Sequence, residues 1–466
     1  MTDPLPANPP PPHPPTTRRI EIELALRTGW GRGAAAAGIV FVLVYAMNVV
    51  LTVIQQTYGP AAGSLADVPQ GALASLYLWH GASFEVDLGA LAPQGGPLPG
   101  SFGVTFSSAL ILGTFVVVWM LFVAGRHLGR AFPVPLWLQP VRWVQVAIPY
   151  SLLALFLSPL ARLSEAVPLP QGATEGGGIE IGVSPLSALG MAFLLATAAA
   201  GAGVAGTGVT AMGAGLRRIV GAIAGGWRML WMALALAVAG FLVVAALHPD
   251  VTRAYLELVS RDGVLGIIRG AILTVFFLGN VGVYVAAAAA GTGIGFSALG
   301  ESCTLLSYLS FPRGTTGPPP GSEALTDPCA SLPLDMGTAP LPYLLFLLVP
   351  VLATVVGGRR AAAHAEVVGG GDGAVVGAAA AVPFTALFVG FGALADVSYE
   401  VDVILRVSVA LGPSLIPLFL LALLWGAAGG AIGGWLTGRA AAERTRIGGP
   451  PEGTTGFEPE TTTGPG

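Results

Sequence analysis

Nine stretches of this chain are each as long as a bilayer is thick, and they carry almost no charge. The hydrocarbon layer is roughly 30 Å deep and a helix rises about 1.5 Å per residue, so about 20 apolar residues cross it. The stretches are 33–55, 105–124, 144–161, 184–206, 229–247, 266–290, 340–357, 374–395 and 412–437. Only 10% of the chain is charged and its mean hydropathy is +0.75. A water-soluble domain needs about 25% charge to cover its surface. The expected fold is therefore an all-α integral membrane helical bundle of about 9–10 membrane segments, with short β-strands in its extracytoplasmic loops. The bilayer is its first partner, and other membrane proteins are the expected further ones.

Charge also sets the orientation. All 21 basic residues are arginine and the net charge is −4, which leaves no basic patch for a nucleic acid. The connections 1–32, 125–143, 207–228, 358–373 and 438–466 hold 15 Arg, among them Arg126, Arg130, Arg217, Arg218, Arg359 and Arg360. The connections 56–104, 163–183, 291–339 and 396–411 hold two Arg, Arg313 and Arg406, against 13 acids. Arginine stays cytoplasmic on insertion, so the expectation is a multi-pass protein of the cell membrane with both termini inside. The first apolar run is long and starts late, so it should stay as an anchor rather than be cleaved. Residues 1–32 read as a Pro-rich cytoplasmic arm and juxtamembrane segment, 33–438 as the polytopic domain and 439–466 as a disordered cytoplasmic tail.

Two inside termini demand an even number of crossings, and nine runs are odd. The fault falls between residues 229 and 338. The connection 248–265 carries Arg253 and Arg261, which favour the cytoplasm, whereas alternation puts it outside. One segment there should be re-entrant, broken or two short passes. Gly279 and Asn280, in the middle of 264–296, suit a helix break whose freed backbone is satisfied by protein or water. The same Asn280 would also suit a plain helix–helix contact.

Beside that candidate break lies a glycine cluster, AAAAAGTGIGF (286–296). A dinucleotide loop needs a third glycine where Phe296 stands, and a short strand before it. Gly291, Gly293 and Gly295 should instead end a helix and turn the chain into an outer loop.

Outer loops alternate polar and apolar residues at 82–91, 177–186 and 397–409, and more loosely at 293–300 and 331–337. Period two marks half-buried strands. A strand-bearing loop, an inward helix and then arginine should thus recur up to four times. Cys303 and Cys329 are the only cysteines and share one acidic outer loop. A disulfide is expected there, stabilising the loop by roughly 3 kcal/mol.

The residues offer little catalytic chemistry. Arg269 is the only charge in the nine runs and lies within a turn of an edge, where it can snorkel. No metal site, cofactor site or enzyme activity is expected. Asp372 sits in a G-x-G-D fragment like that of intramembrane aspartyl proteases, but no span supplies the second aspartate. Glu85 and Asp87 form an E-x-D pair like that of lipid-linked glycosyltransferases, the least remote enzyme reading; the pair also suits the wet face of a strand. What the helices do show is small-residue packing. Gly426, Gly430, Gly434 and Gly438 share one face of the last span, and Gly221 with Gly225, and Gly373 with Gly377, repeat the spacing. That face should pack within the bundle rather than on a second copy.

The stretch 262–296, DGVLGIIRGAILTVFFLGNVGVYVAAAAAGTGIGF, resembles a segment of uncharacterised polytopic proteins of GC-rich bacteria, the PerM-like cell-division-associated group and the streptophobe group. Members carry L-P-N ahead of a glycine turn, where this chain has Leu278-Gly279-Asn280. The resemblance implies a non-enzymatic envelope or division accessory. The alternative is a permease or channel for a neutral or lipidic substrate, using a broken helix near Asn280.

Overall fold

The computed structural model describes residues 17–57, 67–87, 103–166, 178–207, 214–261, 263–298, 301–308, 311–314, 335–337, 339–402 and 406–447. Among them, nine helices are long and apolar enough to cross a membrane. They fall on the nine runs expected above. The region 33–438 divides, however, into two compact units. The first holds residues up to 211 with 262–272 and 401–406, and the second holds the rest.

In the first unit, α1 (Thr17–Arg27) turns through Gly29, φ +97°, into α2 (Trp30–Thr57). Next comes α3 (Val68–His80), which at 13 residues reaches only about 20 Å and cannot cross alone. The hairpin β1 (Phe84–Asp87) and β2 (Gly103–Ser107) leads to α4 (Ile111–Ala131) and α5 (Gln139–Leu157). A second hairpin, β3 (Arg162–Ala166) and β4 (Gly178–Val183), leads to α6 (Pro185–Ala205). Pro185 opens α6, where a missing N–H costs nothing. The strand order is β3-β4-β1-β2. All pairs in it are antiparallel, with Phe84 opposite both Phe106 and Val183.

The second unit has α7 (Ala214–Leu247), α8 (Pro249–Ser260) and all but the first ten residues of α9 (Gly263–Ala289). The strands β5 (Ile294–Ala298), β6 (Glu301–Leu306), β7 (Phe311–Gly314) and β8 (Asp335–Gly337) follow, then a 3-10 turn over Leu341–Leu347. The chain continues through α10 (Leu348–His364), α11 (Gly370–Ala379), α12 (Ala381–Ala395), β9 (Val397–Asp402), β10 (Arg406–Pro413) and α13 (Leu415–Ile447). Its strands run β9-β10-β5-β6, with β7 and β8 as a separate pair.

Both units therefore list the later hairpin first and the earlier one second, and the resemblance extends to single bonds. Gly81 and Gly291, both at positive φ, end α3 and α9 in the same double-bonded turn. Two residues on, Ser83 O accepts the Ser184 N–H at 2.9 Å, and Gly293 O accepts the Ser414 N–H at 3.1 Å. Each bond ties the start of a strand to the start of the unit's last helix. The strand-bearing loop followed by a helix occurs four times, before α4, α6, α10 and α13.

Several expectations are corrected. Helix α9 is continuous from Gly263 to Ala289, so the chain does not break at Gly279 and Asn280. Val244, near the end of α7, and Ala288 and Ala289, at the end of α9, line one cavity at the strand-bearing end of the unit. Two successive long helices finish at the same end, with α8, about 18 Å long, between them. Helix α1 begins at Thr17 inside the supposed arm, and α13 extends nine residues beyond Gly438, so 439–447 is helical rather than disordered.

Candidate functional site

The strand-bearing ends of the helices hold most of the polar contacts that the apolar spans lack. In the first unit they centre on α3. Trp79 and Tyr77 are fully enclosed, and so is His80. The Tyr77 hydroxyl donates to Ala154 O at 2.7 Å. His80 Nδ1 lies 2.6 Å from Leu76 O and its Nε2 lies 2.8 Å from the Tyr150 hydroxyl. A carbonyl only accepts, so Nδ1 carries the proton and Nε2 accepts from Tyr150. Burial pushes the His80 pKa down to about 4, with the bond to the Leu76 carbonyl opposing the shift. The imidazole is a neutral strut joining α3 to α5. Thr114 extends the network, donating to Trp79 O at 2.6 Å. Gly113 has no room for a side chain because the Trp79 ring lies against it.

The centre of this cluster, α3, falls inside the connection 56–104, which was expected to be an outer loop. Its only signal is the apolar run ALASLYLWHG (72–81), too short for a span and closed by a glycine.

The second unit builds the corresponding region differently. The Tyr284 hydroxyl donates to Ala395 O at 2.6 Å, and Trp425 Nε1 donates to Ala290 O at 3.0 Å. Each bond satisfies a carbonyl at a helix end. Gly291 ends the helix as expected, at φ +99°, whereas Gly295 lies within β5, paired with Gly412 and Thr304.

A second polar cluster lies in the first unit, at α1. Arg142, buried at the start of α5, donates to Ala25 O at 3.3 Å, to Thr28 O at 2.5 Å and to Gln145 Oε1 at 2.9 Å. Gln145 Nε2 donates to the same two carbonyls at 3.0 and 2.9 Å. The last carbonyls of α1 are thus capped by a cation, which also favours the negative end of the helix dipole. Gly29 is obligatory between them, because a methyl there would lie 2.6 Å from both side chains.

The glycine face of α13 meets partners of its own unit. Methyl groups on Gly430, Gly434 and Gly438 would overlap the carbonyls of Gly377, Gly373 and Gly369, and one on Gly426 would crowd Ala381. The Gly373–Gly377 spacing read from the sequence is thus the other half of this seam. Gly221 and Gly225 pack α7 on Ala361 and Gly357 of α10. A second α13 stripe, Gly429 and Gly433, was missed; it fits against Thr354 and the Val355 carbonyl of α10. The doublets in GAAGGAIGG (426–434) carry that signal. Backbone meets backbone on two sides of one helix, which gives close dispersion contact where lipid removes the hydrophobic drive.

The remaining expected residues are scattered. Asn280 is buried in continuous α9. Cys303 lies on β6 opposite Phe296 of β5, and Cys329 lies outside the described residues. Glu85 is exposed on β1 while Phe84 beside it is buried, the pattern of a half-buried strand. Asp372 pairs with Arg218 at 2.9 Å, both exposed, next to Arg217–Glu366 at 2.7 Å. Among the described residues, no three His, Cys, Asp or Glu gather as metal ligands.

Nine apolar helices and seams of this kind define a multi-pass α-helical membrane protein. Compared with models of protein families, with curated proteins and with solved structures, the chain matches none.

Proposed function

We propose that this protein is a non-enzymatic accessory of the cell envelope, held in the cell membrane, whose strands form an extracytoplasmic docking platform for other membrane proteins. One observation carries the reading. Among the described residues, β1–β4 gather in one sheet of the first unit and β5, β6, β9 and β10 in one sheet of the second, beside the ends of the helices that flank them, and tight glycine seams hold α7, α10, α11 and α13 together, as a scaffold requires. Arg126 and Arg130 lie in the closing turns of α4, Arg359 and Arg360 in those of α10 and Arg439 in the last third of α13, so these helices, which start at the strands, carry positive charge towards their far ends. That distribution supports strands outside and both termini in the cytoplasm. The resemblance of 262–296 to the PerM-like and streptophobe groups points to the same division-associated role. A Cys303–Cys329 disulfide belongs to this orientation, since thiols oxidise outside the cytoplasm.

Photo-crosslinking residues placed at Glu85 and Tyr399, both exposed on strands, should capture a membrane or envelope protein from intact cells. Capture of lipid alone, or labelling of these sites only from the cytoplasmic side, would overturn the reading. The permease alternative required a break at Asn280. Because α9 is continuous there, Asn280→Leu should leave solute flux unchanged in reconstituted vesicles.

A further inference from the structure

We propose that the second unit binds one acyl chain of a membrane phospholipid in the cavity between α7, α9, β6 and the 3-10 turn. The cavity measures about 240 Å³ and is walled by Phe241, Val244, Val285, Ala288, Leu306 and Phe346. The polar groups in its lining are turned to protein partners. The Tyr308 hydroxyl donates to Ala289 O at 3.2 Å, and the Tyr343 hydroxyl is bonded to His248 Nε2 at 3.3 Å. What remains is a hydrocarbon wall that holds nothing for water to bond. The volume lies below the roughly 300 Å³ at which drug-sized pockets begin, which suits a single chain rather than a fused-ring lipid.

The surroundings decide the occupant. Next to the cavity, Leu242, Val243 and Leu247 of α7 and Leu344 and Leu345 of the 3-10 turn point outward, Leu247 being 72% exposed and Leu345 67%. Beside nine apolar spans among the described residues, such a belt faces hydrocarbon, so the cavity mouth opens on to lipid tails. Immediately after His248, α8 exposes Tyr255 and Leu256 together with Arg253 and Glu257. Its Tyr255 hydroxyl bonds Thr274 of α9 at 2.6 Å, about 21 Å along that helix from Ala288, so α8 runs back along α9 from the cavity end. The headgroup of that lipid then sits at the strand-bearing end, where α7 and α9 finish, and its tail enters the cavity.

The test is photolabelling of the full chain in nanodiscs of phosphatidylethanolamine and phosphatidylglycerol, doped with a phospholipid bearing a diazirine near the end of one acyl chain. Mapped adducts should concentrate on Phe241, Val244 and Phe346, several-fold above the exposed belt residue Leu420 of α13. Ala288→Phe should abolish the cavity adducts and leave those on Leu420 unchanged. Val244→Trp blocks the same space from the opposite wall and serves if the first variant does not fold. Equal labelling of cavity and belt in the unaltered protein, or cavity adducts that survive both substitutions, would overturn the proposal and mean general lipid contact only.

Discussion

His80 and Tyr150, seventy residues apart, meet through a 2.8 Å bond between the imidazole Nε2 and the phenol, at a point where neither residue touches solvent. Breaking it on one side leaves the other group buried and unpaired. Tyr150→Phe should therefore cost about 1–3 kcal/mol, read as a lower midpoint of unfolding in detergent. The double variant Tyr150→Phe with His80→Leu should cost less than the sum of its parts. Strict additivity would show that the two groups are not coupled.

The same histidine makes stability depend on pH. Its pKa falls to about 4 on folding, below the ordinary value near 6.5, because burial penalises the charged ring. Between those values the unfolded chain binds the extra proton, so stability should fall as pH drops from 6.5 towards 4 and stay level above 7. The full contribution is about 3 kcal/mol. Unfolding midpoints across pH 4–8 would record it, and His80→Leu should flatten this part of the slope.

Glycine substitutions separate seam from surface. Gly434→Val and Gly433→Val each push a side chain into a backbone that cannot retreat, Gly373 in one case and Val355 in the other. Overpacking of this kind costs about 1–3 kcal/mol or more, and loss of the monodisperse peak in size-exclusion chromatography should accompany it. Gly390→Ala, with nothing within 4 Å of the added methyl, should elute normally.

Arg142→Ala removes the cation that caps α1 and strands the Ala25 and Thr28 carbonyls. Hydrogen bonds to a charged group contribute about 1.5–3 kcal/mol each, so α1 should detach before the bundle unfolds. Cleavage by a protease within 17–28, absent in the unaltered protein, is the readout. Equal resistance would show that Gln145 alone holds the helix.

Cys303 and Cys329 should resist alkylation in protein isolated without reductant and react fully after reduction. Alkylation of both before reduction would remove the disulfide and weaken the case for an outer location of β6.

The nine spans were legible because crossing hydrocarbon is a local requirement, met by length and polarity within each segment. The α13 glycine face was legible for a similar reason: spacing of four puts Gly426 to Gly438 on one side whatever lies opposite. The turn at Gly291 also followed from local chemistry, since only glycine enters positive φ without strain. Asn280 misled, because a polar residue in an apolar run is equally compatible with a break and with a buried contact inside an intact helix. Within 229–338, α8 is too short to register as a span, as is α3 earlier in the chain.

What the sequence by itself determined is the medium, the number of long helices and which faces could approach closely, since each depends on residues within a few turns of one another. Only the tertiary structure decided that Gly434 meets Gly373, that Tyr150 serves His80, and that the chain divides into two units with one strand order. Those are pairings between residues tens to hundreds of positions apart. Many apolar faces and many strands could satisfy the same local rules, and the choice among them falls to the simultaneous fit of backbone to backbone and of each buried donor to an acceptor.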